Sequence, residues 1–167
     1  MSGRAGFALS VAVYLVLLGW AWSVLPDGPV PLHFGAGGEP DRFGSRTDAV
    51  VAFAAIGLGT AVLLAGTAAL LASRHIGWQM VNLPHKAYWS ADERRPQARR
   101  MMAEDLAWLG AMTMGLLCSA LVATVATARS GGGLTSWFLV ALALYLVLVL
   151  GWAVRMHTSR YRPPQET

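Results

Sequence analysis

Charge is what this sequence has least of. Only 13% of its 167 residues are Asp, Glu, Lys or Arg, against roughly 25% in a soluble domain. Hydrophobic residues make up 55%, and the mean hydropathy is +0.48. The shortage is concentrated. Four runs contain no charged side chain: Ala5–Leu25, Ala49–Ser73, Leu106–Ala128 and Leu134–Val154. Each reaches the ~20 residues needed to cross a hydrocarbon core ~30 Å thick. None shows the polar face that a helix of a soluble bundle must present to water, so that class is excluded. The first run is too long for a removable signal peptide, and no small-x-small cleavage site follows it.

Cysteine is the next scarcity. Cys118 is alone, in the middle of the third run, so an intramolecular disulfide or a multi-cysteine metal site is impossible. It reads as a small core residue. Charge is also missing where proton relays and ion pathways need it, inside the spans. Asp48, Glu104 and Asp105 only flank the runs. They are expected at the starts of the second and third helices, Asp48 with Ser45 or Thr47, where carboxylates meet free N–H groups. No HExxH, no GxSxG and no acid–base set is present, so the chain reads as a non-enzyme without a cofactor.

What is there places the chain in a membrane. Ten of the thirteen basic residues fall on one side of the four runs: Arg4, then Arg74, Lys86, Arg94, Arg95, Arg99 and Arg100, then Arg155, Arg160 and Arg162. Arg42, Arg46 and Arg129 fall on the other. Basic loops stay cytoplasmic. The expectation is an all-α, polytopic integral membrane protein with four transmembrane helices and both termini cytoplasmic. It forms a single domain, 1–167, with an ordered outer loop 26–48 and a basic inner loop 74–105. Trp20, Trp22 and Trp137 at outer ends, and Trp78, Trp89, Trp108 and Trp152 at inner ones, match an aromatic belt. A net charge of +4 needs no nucleic acid; anionic headgroups are the natural partner of the inner loop.

Small residues predict which helices touch. Ala111, Gly115, Ser119, Ala123 and Thr127 recur at every fourth position of run three, and Ala61, Ala65 and Ala69 do so in run two. These two helices are expected to form the packed centre. Run four, rich in Leu and Val, is expected to face lipid. A homodimer using one of the ladders is the competing reading.

The outer loop, "LPDGPVPLHFGAGGEPDRFGSR", cannot be helical with prolines at 26, 29, 31 and 40. Its glycines make "GAGG" a turn. A compact loop is expected, docked on the helix ends by Leu32 and Phe34. His33, Asp41, Glu39 and Asp27 could meet a cation or a ligand amine, though one histidine with scattered carboxylates is a thin metal signal. Arg42 and Arg46 could pair with these acids or with lipid phosphate. In the inner loop, Ser90 and Glu93 have capping-box spacing, and Pro96 either ends that first turn or begins a second segment. "NLPHKAYW" reads as an interfacial anchor or as a docking surface built on Asn82, His85, Lys86 and Trp89.

These two loops together resemble a domain of unknown function found in small bacterial membrane proteins and at the N-terminus of SdpI-type toxin-immunity proteins. The outer pattern falls on Leu25-Pro26, Pro31, His33, Gly38, Asp41 and Arg46. The inner one falls on Asn82, Pro84, Trp89, Glu93 and Arg94. Phe34-Gly35 departs from the aromatic-Asn pair usual in SdpI-type proteins, which also carry a further membrane domain. The resemblance implies a bacterial inner-membrane protein that senses, or protects against, a toxic peptide. His33, Phe34, Glu39, Asp41 and Arg46 are then the candidate ligand residues. A small transporter, or a subunit of one, for a small or lipidic molecule is the alternative. Four spans would need a dimer to line its cavity.

Overall fold

The computed structural model describes residues 1–164. Its elements are helix α1 (Gly3–Val24), strands β1 (Val30–Phe34) and β2 (Pro40–Gly44), and helix α2 (Arg46–Ala72). A short 3₁₀ turn (Trp78–Met80) and the single-turn helix α3 (Lys86–Trp89) lead to helix α4 (Arg95–Ser130). Helix α5 (Ser136–Arg155) continues into a wide turn, Met156–Arg160. Four helices are long and apolar enough to cross a membrane. Each covers one of the four charge-free runs to within two residues, and the fold is that of an all-α, multi-pass membrane protein.

The helix boundaries have local causes. Ser2 caps α1, its hydroxyl accepting from the N–H of Ala5, and Pro26 stops that helix at Leu25. Ser45 and Asp48 form a reciprocal capping box at the start of α2, as the sequence predicts. Pro96 opens α4 in its first turn. Gly131, at φ 70°, closes it in a left-handed conformation that a side chain would resist.

Two expectations about the third span need correction. Nothing in "QARRMMAEDLAWLG" breaks a helix, so α4 starts at Arg95 and Glu104 and Asp105 lie well inside it. Ser90 and Glu93 form no capping box; Ser90 closes α3 instead, its hydroxyl donating to the Lys86 carbonyl at 2.7 Å. Glu104 does meet a helix N-terminus, but that of α1: its carboxylate accepts from the N–H of Gly3.

Helix α4 is the axis of the bundle. Its most extensive contact is with α1 and its next with α2, whereas α5 lies at the edge with no buried residue. The expected pairing of spans two and three is therefore real, but secondary to one that the small-residue ladder does not mark. Phe7 of α1 sits over Gly110, where a Cβ would come within 2.9 Å of its ring. Ala123 and Thr127 are buried, but nothing lies within 4 Å of a Cβ built on Gly115. Ser119 is partly exposed, its hydroxyl turned back onto the Gly115 carbonyl at 3.0 Å. On α2, Ala61 is buried and Ala65 exposed.

One contact fixes α1 against α2. The Tyr14 ring is fully buried and fills the space above Gly57, where a Cβ would stand 2.1 Å from it. Its hydroxyl donates to the Phe53 carbonyl at 2.6 Å. A phenol in hydrocarbon needs such a partner. We expect Gly57→Val to destabilise the protein by about 2 kcal/mol through overpacking, and Tyr14→Phe by about 1 kcal/mol through the lost hydrogen bond. Thermal unfolding in detergent measures both. A Gly57→Val variant as stable as the parent would show that this contact is not tight.

Candidate functional site

The outer loop folds as a β-hairpin. β1 and β2 pair antiparallel, with Val30 opposite Gly44, Pro31 opposite Phe43, His33 opposite Arg42 and Phe34 opposite Pro40. The register is irregular on either side of His33. Prolines are tolerated because each strand of a two-stranded ribbon has a free edge. The tip closes through Gly38 at φ 81°, whose N–H donates to the Gly35 carbonyl at 2.9 Å. The Gly38 carbonyl accepts in turn from the N–H of Leu134 at 2.7 Å, tying the hairpin to the α4–α5 connection.

Buried Val30 and Leu25, with Leu32 beside them, anchor the hairpin base in the main core. Gly44 leaves little room there, since a Cβ would lie 2.5 Å from the end of the Leu32 side chain and 3.1 Å from the Asp48 carboxylate. Arg46 secures the same corner. It pairs with Asp27, lies 5.0 Å above the Trp22 ring, and reaches the carbonyls of Trp22 and Leu25 at 3.4 Å. Its charge faces the carbonyl end of α1, where a cation is favoured. Arg46 and Asp27 are thus engaged in holding the corner.

Beneath the hairpin lies an apolar cavity of about 350 Å³. The hairpin, through Leu32, His33 and Phe34, forms its roof. Ala49, Ala52, Phe53 and Ile56 of α2, Ala120 and Thr124 of α4, and Leu134 and Phe138 form the walls. The alanines create the room. His33 is the one titratable lining residue, its Nδ1 held 2.6 Å from an Asp41 carboxylate oxygen. Both side chains remain more than half exposed, so the pair stands at the mouth as a polar rim over an apolar interior. Phe34 lines the interior, whereas Glu39 lies beyond the tip, near Gly133. No group of three or more His, Cys, Asp or Glu residues suited to a metal occurs among the described residues.

The opposite end of the bundle carries a second, smaller core that sequence reasoning missed. Val81, Leu83, Trp89, Ala98 and Tyr161 are buried together. Trp89 is only 4% exposed and donates from Nε1 to the Tyr161 carbonyl at 3.0 Å. It is therefore unavailable as a docking residue or an interfacial anchor. Asn82 and His85 are exposed, and Lys86 donates to the Gln79 carbonyl at 3.1 Å. Asp105, 5% exposed, accepts from the Tyr161 hydroxyl at 2.7 Å and pairs with Arg160 at 3.2 Å. Burial, and then donation to Asp105, hold the Tyr161 phenol protonated well above the usual tyrosine range.

The family match falls on the hairpin half. Residues 9–58 match the family described as "Domain of unknown function (DUF1648)". The matched segment runs from α1 through the hairpin into α2 and holds Tyr14, Gly57, His33, Asp41 and the capping box. A 63-residue stretch is 43% identical to an "Uncharacterized protein" of Archaeoglobus fulgidus, covering 38% of this chain and 34% of that protein. The chain thus spans about a third of the relative's length. No solved structure matches the chain.

Breaking the Asp105 cluster would leave Arg160 and the Tyr161 hydroxyl unsatisfied. We expect Asp105→Ala to cost about 2 kcal/mol, less than the ~3–5 kcal/mol of a fully buried pair, because Arg160 keeps some water. The loss would free the C-terminal segment and speed trypsin cleavage after Arg160 roughly 30-fold. An unchanged cleavage rate would show that the cluster does not hold that segment.

Proposed function

We infer that this is a non-enzymatic membrane binding protein of the SdpI-like kind, acting in a bacterial inner membrane. Its hairpin end binds or senses a ligand or toxic peptide. The observation that carries the reading is the cavity under the hairpin. An apolar pocket whose one titratable lining residue stands at the mouth suits a molecule with a hydrophobic group to insert and a polar group to leave at the rim. The Asp41 carboxylate and the His33 ring would meet an amine or amide there. The hairpin supplies orientation and the alanines supply space. Thermal shift with a panel of membrane-active toxic peptides, lipid-linked precursors and divalent metals tests it. We expect a toxic peptide to stabilise the protein by about 2–3 kcal/mol at a hundredfold excess over Kd. His33→Ala and the cavity-filling Ala120→Phe should each abolish the shift. No shift with any probe, or a shift indifferent to both substitutions, overturns the proposal.

A second reading, a transporter or subunit for a lipidic molecule, is favoured by a groove of about 660 Å³ between α1 and α2, lined by Val11, Ala61, Ala65 and Ala69. It requires a dimer, so a strictly monomeric mass by light scattering in detergent speaks against it.

The excess of basic residues at the end opposite the hairpin supports placing that end, with both termini, in the cytoplasm. In a Cys118→Ser background, Ala36→Cys at the hairpin tip should react with an impermeant maleimide in intact cells. Gln79→Cys in the opposite connection should react only after permeabilisation. The reverse pattern would invert the topology.

A further inference from the structure

The geometry points to a binding site for a net-negative phosphoryl group at the end of the bundle opposite the hairpin, apart from the cavity discussed above. A cavity of about 570 Å³ opens between the end of α2 and the start of α4. Four arginines line it, Arg74, Arg95, Arg99 and Arg100, against one carboxylate, Asp92. That carboxylate is committed to Arg95, 2.6 Å away. No carboxylate pairs with Arg74, Arg99 or Arg100 among the described residues. Like charges gathered around one space repel unless an anion occupies it.

The site is built. Arg99 is 7% exposed and donates to the carbonyls of Leu71, Ser73 and Ile76 at 3.3, 2.7 and 2.6 Å. Those bonds use three of its five N–H hydrogens and leave its charge uncompensated, a costly state for a buried guanidinium. Arg95 has a buried Nε without a partner. Both guanidinium groups lie over the Trp78 ring, at 5.7 and 5.8 Å. The indole is itself fixed by donating to the Ser90 hydroxyl at 2.9 Å. Two held cations thus define one side, and Arg74 and Arg100, both exposed, flank the opening.

Phosphate oxygens match such a set of fixed guanidinium donors, whose forks each meet two oxygens at once. The position agrees. Ala72, the last residue of an apolar helix 27 residues long, forms part of the wall, so the cavity lies at the depth of lipid headgroups. An anionic phospholipid headgroup and soluble phosphate share the required chemistry.

The test uses the full chain in a neutral detergent, with thermal unfolding as the readout. Arg74→Gln with Arg100→Gln is the variant of choice, since neither side chain hydrogen-bonds to the protein among the described residues and the fold should persist. Short-chain phosphatidylglycerol should stabilise the parent, with half-saturation shifted roughly 30-fold in the double variant, the effect of two headgroup contacts. Unliganded melting should not fall, since the substitutions relieve repulsion among the arginines. A stabilisation by inorganic phosphate that is lost in the variant, with the lipid adding nothing, supports the same site with a soluble occupant. Equal response of parent and variant, equal response to phosphatidylcholine, or no response to either phosphate source overturns the inference.

Discussion

A helix that ends at a membrane boundary leaves carbonyls and N–H groups unpaired, and water is scarce there. This chain meets that constraint with charged side chains borrowed across the bundle. Glu104 of α4 accepts the Gly3 N–H at the start of α1, and Arg46 of α2 faces the last carbonyls of α1. Arg99 of α4 closes α2, and Asp105 of α4 holds the segment after α5. Each closure comes from another helix. The same contacts that satisfy the ends therefore fix how the helices stand against one another, and both cavities lie beside such a junction.

The hairpin is the clearest case. Its strands are short, interrupted by proline and irregular in register, and two strands alone have little stability. It persists because Leu25, Val30 and Leu32 enter the main core and Gly38 is tied to Leu134. A loop so held can roof a pocket without collapsing into it.

Much of this was legible in the sequence, for identifiable reasons. Charge-free runs report spans because hydrocarbon tolerates no alternative. The Ser45–Asp48 cap was legible because its partners are three residues apart. Prolines and glycines showed that the outer loop is ordered, but not that it is paired: the bulges around His33 erase the alternation that marks a strand. Asp105 was misplaced because its partners, Arg160 and Tyr161, lie more than fifty residues away. Trp89 looked like an interfacial residue because nothing local shows that Tyr161 returns to cover it. The ladder through Gly115 was misleading in another way. Small residues permit close approach without requiring it, and the contact that α4 makes with α1 turns on Gly110 and the ring of Phe7.

Helix α4 runs unbroken for 36 residues, about 54 Å at 1.5 Å per residue. Ala120 and Thr124 form part of the cavity wall near one end, and Arg95, Arg99 and Arg100 line the arginine cavity near the other. A continuous helix bends little and cannot shorten. One unbroken element therefore supplies wall residues to both cavities, and the spacing of Thr124 from Arg99 is set by the helix itself.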